Sequence, residues 1–322
     1  MKTNYFLLLI SLLILLGCKS PEKKAANINL SDATDSLQIF AEGSICTYLN
    51  ERDMAISPDG TEFFYSILSY DNSVRVLMHC QFKSGQWSKP APAEFAGEYF
   101  DLEPAFSPDG NRLFFVSNRP LNPKDSTSDH NIWYVSRTEQ GWGDPQALSK
   151  VINTEAEEYY PSLAQNGNLY FTASYPDALG KEDIYVSRWE EGKYLQPEPL
   201  GPAVNSKSWE FNAYISPNED LLIFTSFGRP DGFGGGDLYI STKDSNGDLK
   251  PARNMGILVN SEKLDFCPFI DWPRNTFYFT SNRTLQAKNK IVNLQELYDL
   301  ATSPLNGMHN IYRLSLDKLK LN

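Results

Sequence analysis

Ser57-Pro58-Asp59-Gly60, followed by the strand-like TEFFYS (61–66), returns fifty residues later as Ser107-Pro108-Asp109-Gly110 followed by NRLFFVSNR (111–119). Proline fixes φ at the first corner, Asp bonds its own backbone, and Gly accepts a positive φ, so SPDG is a turn between two strands. Weaker copies stand in register: AQNG (164–167) before NLYFTAS (168–174), SPNE (216–219) before DLLIFTS (220–226), and DWPR (271–274) before NTFYFTSNR (275–283). The fourth positions are Gly60, Gly110, Gly167, Glu219 and Arg274, in steps of 50, 57, 52 and 55 residues. Recurrence at such a period is the mark of a repeat architecture.

Each unit carries more than its turn. Before it lies a short apolar stretch opened by an acid: Glu51, Asp101, Glu158, Glu210 and Asp265 lead into DMAIS, EPAFS, YPSLA, NAYIS and CPFID. A third stretch follows, HNIWYVS (130–136), EDIYVS (182–187), GDLYIS (236–241) and HNIYRLS (309–315), with NSVRVLMH (72–79) a degenerate first copy. The fourth has Gly, often an aromatic, then Pro: GQWSKP (85–90), GWGDP (141–145), GKYLQP (192–197) and GDLKP (247–251).

Four short strands per unit, rich in β-branched and aromatic residues, predict an antiparallel sheet with two apolar faces. Neighbouring copies must cover both faces, and closure into a ring protects the edges. The expected fold is therefore all-β: a single β-propeller of four-stranded antiparallel blades occupying residues 30–322, with units at 51–100, 101–157, 158–209, 210–264 and 265–322. The last unit has no fourth strand after NIYRLS. SLQIFA (36–41), within 29–50, can supply it, so the chain ends share a blade and five blades are expected; the alternative is six, one assembled from both ends. Residues 284–308 are an insertion between the second and third strands of the last unit, with VNLQELYDLA (292–301) read as a short helix. Insertions of this kind often sit at a binding face.

These units resemble the WD40-like Pro-Asp β-propeller repeats of TolB-like propellers and of many envelope proteins of the Bacteroidota. There a similar unit runs acid, x, x, Pro, strand, SPDG, LYFxS, Gly-Gly-Asp-Ile-Tyr, Gly-x-Trp, Pro. The resemblance covers residues 51–315 and implies the propeller fold, whose functions vary because the ring is a scaffold.

Residues 1–4 (MKTN) and the apolar 5–16 (YFLLLISLLILL) read as a signal peptide covering 1–17. Twelve residues reach only about 18 Å, short of a bilayer core. Leu15-Leu16-Gly17-Cys18 resembles the bacterial lipobox. That resemblance implies cleavage before Cys18, acylation of Cys18, and a lipid bilayer as partner. Residues 18–29 form a polar tether, and Lys19 does not resemble the Asp that marks inner-membrane retention at this position in other lipoproteins, which implies the outer membrane. Cys46, Cys80 and Cys267 show no metal-type spacing, and apolar neighbours mark Cys80 and Cys267 as buried thiols.

The 322 residues carry 40 acidic and 29 basic side chains, a net charge of −11 that argues against nucleic acid as a partner. Aromatic residues make up 13% of the chain, and blade packing accounts for them. Two functions suit such a ring. The first is a non-catalytic scaffold binding an envelope protein, peptide or glycan. In it Glu51, Asp101, Glu158, Glu210 and Asp265 stand at the rim of the central funnel, able to hold a divalent cation such as calcium or a basic segment, beside Tyr159, Tyr160, Trp209 and Phe211. No other cofactor is expected. Alternatively those acids accept turn hydrogen bonds. The second function is a glycoside hydrolase-like enzyme using carboxylates in the funnel. No compact catalytic motif is present, and His130 and His309, at matching positions before NIWY and NIYR, read as a repeat feature.

Overall fold

The middle of each unit dictates how the units must be stacked. In LYFTA (Leu169–Ala173) all five residues are buried, and Thr276–Ser281 is likewise buried throughout. A strand buried on both faces has to be sandwiched between other sheets. The structure, a computed structural model describing residues 27–31, 34–284 and 291–321, meets this demand with five twisted sheets arranged around an axis.

Every blade is an antiparallel meander. The inner strands are Asn50–Ile56, Asp101–Phe106, Glu158–Leu163, Trp209–Ile215 and Asp265–Asp271. Each pairs with the strand after its turn, which pairs with the third, for example Leu221–Phe227 with Asp237–Thr242. The fourth strands are only two residues long, such as Ala91–Pro92, Gln146–Ala147, Glu198–Pro199 and Arg253–Asn254. Short outer strands leave little unpaired edge for another chain to join. Adjacent inner strands touch around the whole circuit, the fifth meeting the first.

Closure uses the chain ends as expected. Gln38–Ile39 is the fourth strand of the last blade, pairing Gln38 with Arg313 and Ile39 with Tyr312. Phe40 continues the ladder through its N–H to the Ile311 carbonyl at 2.8 Å. Its ring is fully buried, edge-on to Phe63 of the first blade at 6.0 Å and to Tyr278 of the last at 5.4 Å. Ile28 and Leu30 are buried in the same cluster, so packed chain is reached by Ile28, inside the segment read as tether. Cys18 and residues 1–17, read as a signal peptide, lie outside the described residues.

Side-chain clamps sit at four of the five joints between blades. Asn153, Asn205 and Asn260, from the VINT, AVNS and LVNS segments, each receive a backbone N–H and return an amide hydrogen to the same residue's carbonyl, at Ile132, Ile184 and Leu238. At the closing joint Cys46 takes that place, its Sγ 3.2 Å from the Ile311 N–H. The SPDG turns behave as read: Asp59 Oδ1 accepts from Ser57 Oγ at 2.6 Å and the Thr61 N–H at 3.0 Å, and Gly60 sits at φ 71°.

Replacing Phe40 by Ala empties a site shared by the first and last blades. The expected loss is about 3–5 kcal/mol in denaturant unfolding. A loss below about 1 kcal/mol would mean that the joint does not hold the ring.

Candidate functional site

The funnel is shaped by a repeated irregularity in the inner strands. Pairing with the second strand slips after Arg52, Leu102, Tyr159, Phe211 and Phe266. The next residue in each blade, Asp53, Glu103, Tyr160, Asn212 or Cys267, adopts left-handed backbone with φ between 49° and 57°. None is glycine. Such residues cost of order 1–3 kcal/mol each and persist only where surrounding contacts hold them. The contacts are visible: the Asp53, Glu103 and Asn212 N–H groups donate to Thr280, Ser66 and Thr172 hydroxyls of the preceding blade at 3.0–3.3 Å.

These five bulge residues are buried, and their side chains meet across the axis. Arg52 is the hub, its Nε 2.7 Å from Asp53 Oδ1 and a terminal nitrogen 2.7 Å from Glu103 Oε1. The Cys267 thiol donates to Asp53 Oδ1 at 2.7 Å. Glu103 also accepts the Tyr160 N–H at 2.8 Å and an Asn212 amide hydrogen at 3.2 Å. Burial raises the Glu103 pKa, and the Arg52 guanidinium pulls it back. The bonds link all five blades and seal the axis at mid-height.

The repeated acids stand elsewhere. Glu51, Asp101, Glu158, Glu210 and Asp265 are fully enclosed and accept hydrogen bonds from the connection four residues upstream, at Thr47, Gly97, Thr154, Ser206 and Ser261. Arg119, Arg229 and Arg283 neutralise three of them. Among the described residues no arginine pairs with Glu158, and burial pushes its pKa up to about 8. In place of a rim of five carboxylates, the structure has five buried strand anchors, while the axial groups come two residues later. Among the described residues no group of three His, Cys, Asp or Glu is placed to hold a metal ion.

Tyr159, Tyr160 and Phe211 come together with Phe266 and Cys267 in one cluster at the axis. Trp209 stands apart, edge-on to Phe227 at 6.1 Å with Lys181 over its ring. His130 bonds Glu157 through Nδ1 at 2.8 Å, and His309 lies edge-on to Phe266. Cys46, Cys80 and Cys267 are buried free thiols.

Beyond the seal, toward the SPDG turns, the axis opens into a cavity of 330 Å³ lined by residues of every blade. Tyr160 is among its lining, with Met54, Pro104, Pro161, Pro268 and Phe269 around the wall. Pro58, Pro108, Pro217 and Trp272 line it at the turns. Trp272 is 40% exposed, and its Nε1 donates to Tyr214 Oη at 2.8 Å. Arg274 there is paired with Asp271. Larger hollows of 510 and 540 Å³ lie away from the axis and include no bulge residue in their lining. The funnel therefore opens at the turn end, whereas the repeated acids, expected at its rim, stand where the inner strands begin, at the opposite end.

Ring, closing strand and mid-height seal define a five-bladed β-propeller. No family model and no curated protein matches the chain. Among solved structures, the GH43 endo-arabinanase from Bacillus licheniformis is similar with a TM-score of 0.50 at 10% identity, over 85% of this chain and 94% of that one. An alpha-L-arabinofuranosidase from Lactobacillus brevis has a TM-score of 0.48 at 12% identity, covering 84% and 91%. TolB from Acinetobacter baumannii has 0.43 at 13%, covering 82% of this chain, which spans about half (54%) of that protein. At these identities the likeness is one of fold alone.

Replacing Arg52 by Leu leaves Glu103 buried without its counter-charge, and the expected loss is about 3–5 kcal/mol at pH 7. The folded-state pKa of Glu103 then lies further above its unfolded value of about 4.3. The folded protein binds that proton more tightly, so the variant's stability falls as pH rises through this window and recovers on acidification. Urea unfolding at pH 5 and pH 7 checks this; an equal deficit at both would contradict it.

Proposed function

We propose that the protein is a non-catalytic binding module, held at the bacterial cell envelope by an acylated Cys18, whose turn-end funnel receives an apolar segment of a partner protein or peptide. The observation that carries this reading is the funnel itself: a cavity lined by all five blades with proline and aromatic walls. Ligand pockets are typically apolar hollows of this order with a few polar groups fixing orientation. Trp272 and Tyr214 supply rigid aromatic surface at low entropic cost, as anchors at interfaces do. The anchoring half rests on the basic start, the apolar 5–16 and the Leu-Leu-Gly-Cys18 sequence, and the outer membrane is its proposed location.

Carboxylate chemistry in the funnel is the competing role. A glycosidase needs two carboxyl groups flanking a substrate bond, one acid and one base or nucleophile. Here Asp53 and Glu103 share one guanidinium in the seal, an arrangement that supports a structural use of both.

The test is recovery of envelope proteins from detergent-solubilised membranes with tagged lipoprotein. Wild type is expected to retain a specific partner, and Ala105→Trp, which fills the funnel, or Trp272→Ala is expected to reduce recovery at least tenfold with thermal stability retained. Undiminished recovery with the funnel filled would overturn the site. Turnover of a glycan panel that Glu103→Gln abolishes would overturn the non-catalytic role.

A further inference from the structure

The insertion in the last blade builds a short helix that stands out from the ring, exposed along its length except at the half-buried Leu300. Helix α1 (Leu294–Ala301) starts at Asn293, whose side chain accepts the Glu296 N–H at 2.9 Å, while Glu296 reaches back to the Val292 N–H at 3.0 Å. Both ends of the segment are held, by the bridge of Thr284 with Asn306 and by the Asn306 amide on the Tyr48 carbonyl at 3.1 Å. Leu294, Leu297 and Tyr298 are spaced to form one stripe, and they are 63%, 47% and 56% exposed. Gln295, Glu296 and Asp299 take the other side. A capped helix displaying leucines to solvent lacks the packing that normally stabilises so short a segment.

The path of the chain indicates what covers the stripe. The Asn27 N–H bonds Ser44 Oγ, in the loop that leads directly to Tyr48. Because the strand Gln38–Ile39 runs antiparallel to Asn310–Ser315, that loop lies at the end of the ring opposite the SPDG turns, as does α1. Only nine residue steps separate Asn27 from Cys18. Fully extended they span about 30 Å. An inner strand of seven residues is already about 23 Å long before its loops are added. Turning the α1 end away from an anchoring bilayer would thus consume the whole reach of the tether.

We propose that the apolar stripe of α1 lies in the interface of the bilayer that holds Cys18. The ring then stands with its connection end on the membrane and its funnel facing away. This rests on the lipid anchoring proposed above. An amphipathic helix lying in the plane of the interface buries its apolar side to about 5–10 Å, and a second contact makes acyl anchoring firmer.

The experiment uses the full acylated protein on phosphatidylethanolamine–phosphatidylglycerol vesicles, with a nitroxide on Leu297→Cys or, at the turn end, on Ser245→Cys. The three described native cysteines are buried. The expected result is that vesicles shield the 297 label several-fold from a water-soluble nickel chelate and raise its oxygen contact, with the 245 label unchanged. A 297 label that stays nickel-accessible while the protein floats with the vesicles would overturn the proposal. Shielding that needs only concentrated protein and no vesicles would also overturn it, in favour of a second copy. Mass measurement of the acyl groups on Cys18 reads the anchoring separately: an unacylated protein that does not float defeats anchoring, and this orientation with it.

Discussion

Left-handed backbone at one position of each inner strand is the constraint on which the rest of the ring depends. A regular strand sends alternate side chains to opposite faces of its sheet, where they meet only neighbouring blades. The extra residue at the bulge breaks that alternation and brings Asp53, Glu103, Tyr160, Asn212 and Cys267 together at the axis. Five unfavourable conformations persist because hydroxyls of the preceding blade hold three of the N–H groups, Glu103 holds a fourth, and Arg52 compensates two buried carboxylates. One guanidinium thus ties two of the buried carboxylates at the axis, alongside the hydroxyl contacts and Asn clamps between neighbouring blades, while aromatic packing joins the sheets.

Much of the ring was legible in the sequence, and the reason is periodicity. SPDG, the LYF stretches and the segments ending in Asn-Thr or Asn-Ser recur because every blade must solve the same turn, sandwich and clamp. The closing strand was found because residues 36–41 fill the one vacancy left by that count. The seal was not legible. Its members are Asp, Glu, Tyr, Asn and Cys, so nothing recurs for a self-comparison to detect, and the shared property is a backbone angle. A faint signal existed in the hydroxyl at Ser66, Thr172 and Thr280, since a polar residue inside an otherwise apolar strand calls for a partner.

The repeated acids show the converse. They recur because they cap the connection into each blade, and a fully buried carboxylate bonded to the residue four positions earlier anchors a strand. Periodic residues in this chain build the ring, whereas those that give the funnel its character belong to individual blades: Trp272 in place of the Pro of SPDG, Tyr214 beside it, and Met54 where three other blades have Pro104, Pro161 and Pro268. With an apolar funnel at the turn end and an outward apolar helix at the other, the two ends of the ring present different chemistry. That division is what the proposed arrangement uses, with one end at a membrane and the other free to bind.

The central claim is that Arg52 and Glu103 lock the axis as a pair, and a double-mutant cycle in urea with Arg52→Leu, Glu103→Gln and the combined variant measures it directly. The pair predicts a double variant less destabilised than Arg52→Leu alone, because it leaves no carboxylate at position 103, and hence a coupling well above about 0.5 kcal/mol. Single losses that add within about 0.5 kcal/mol would show that the two side chains act independently and that the seal is not what holds the five blades together.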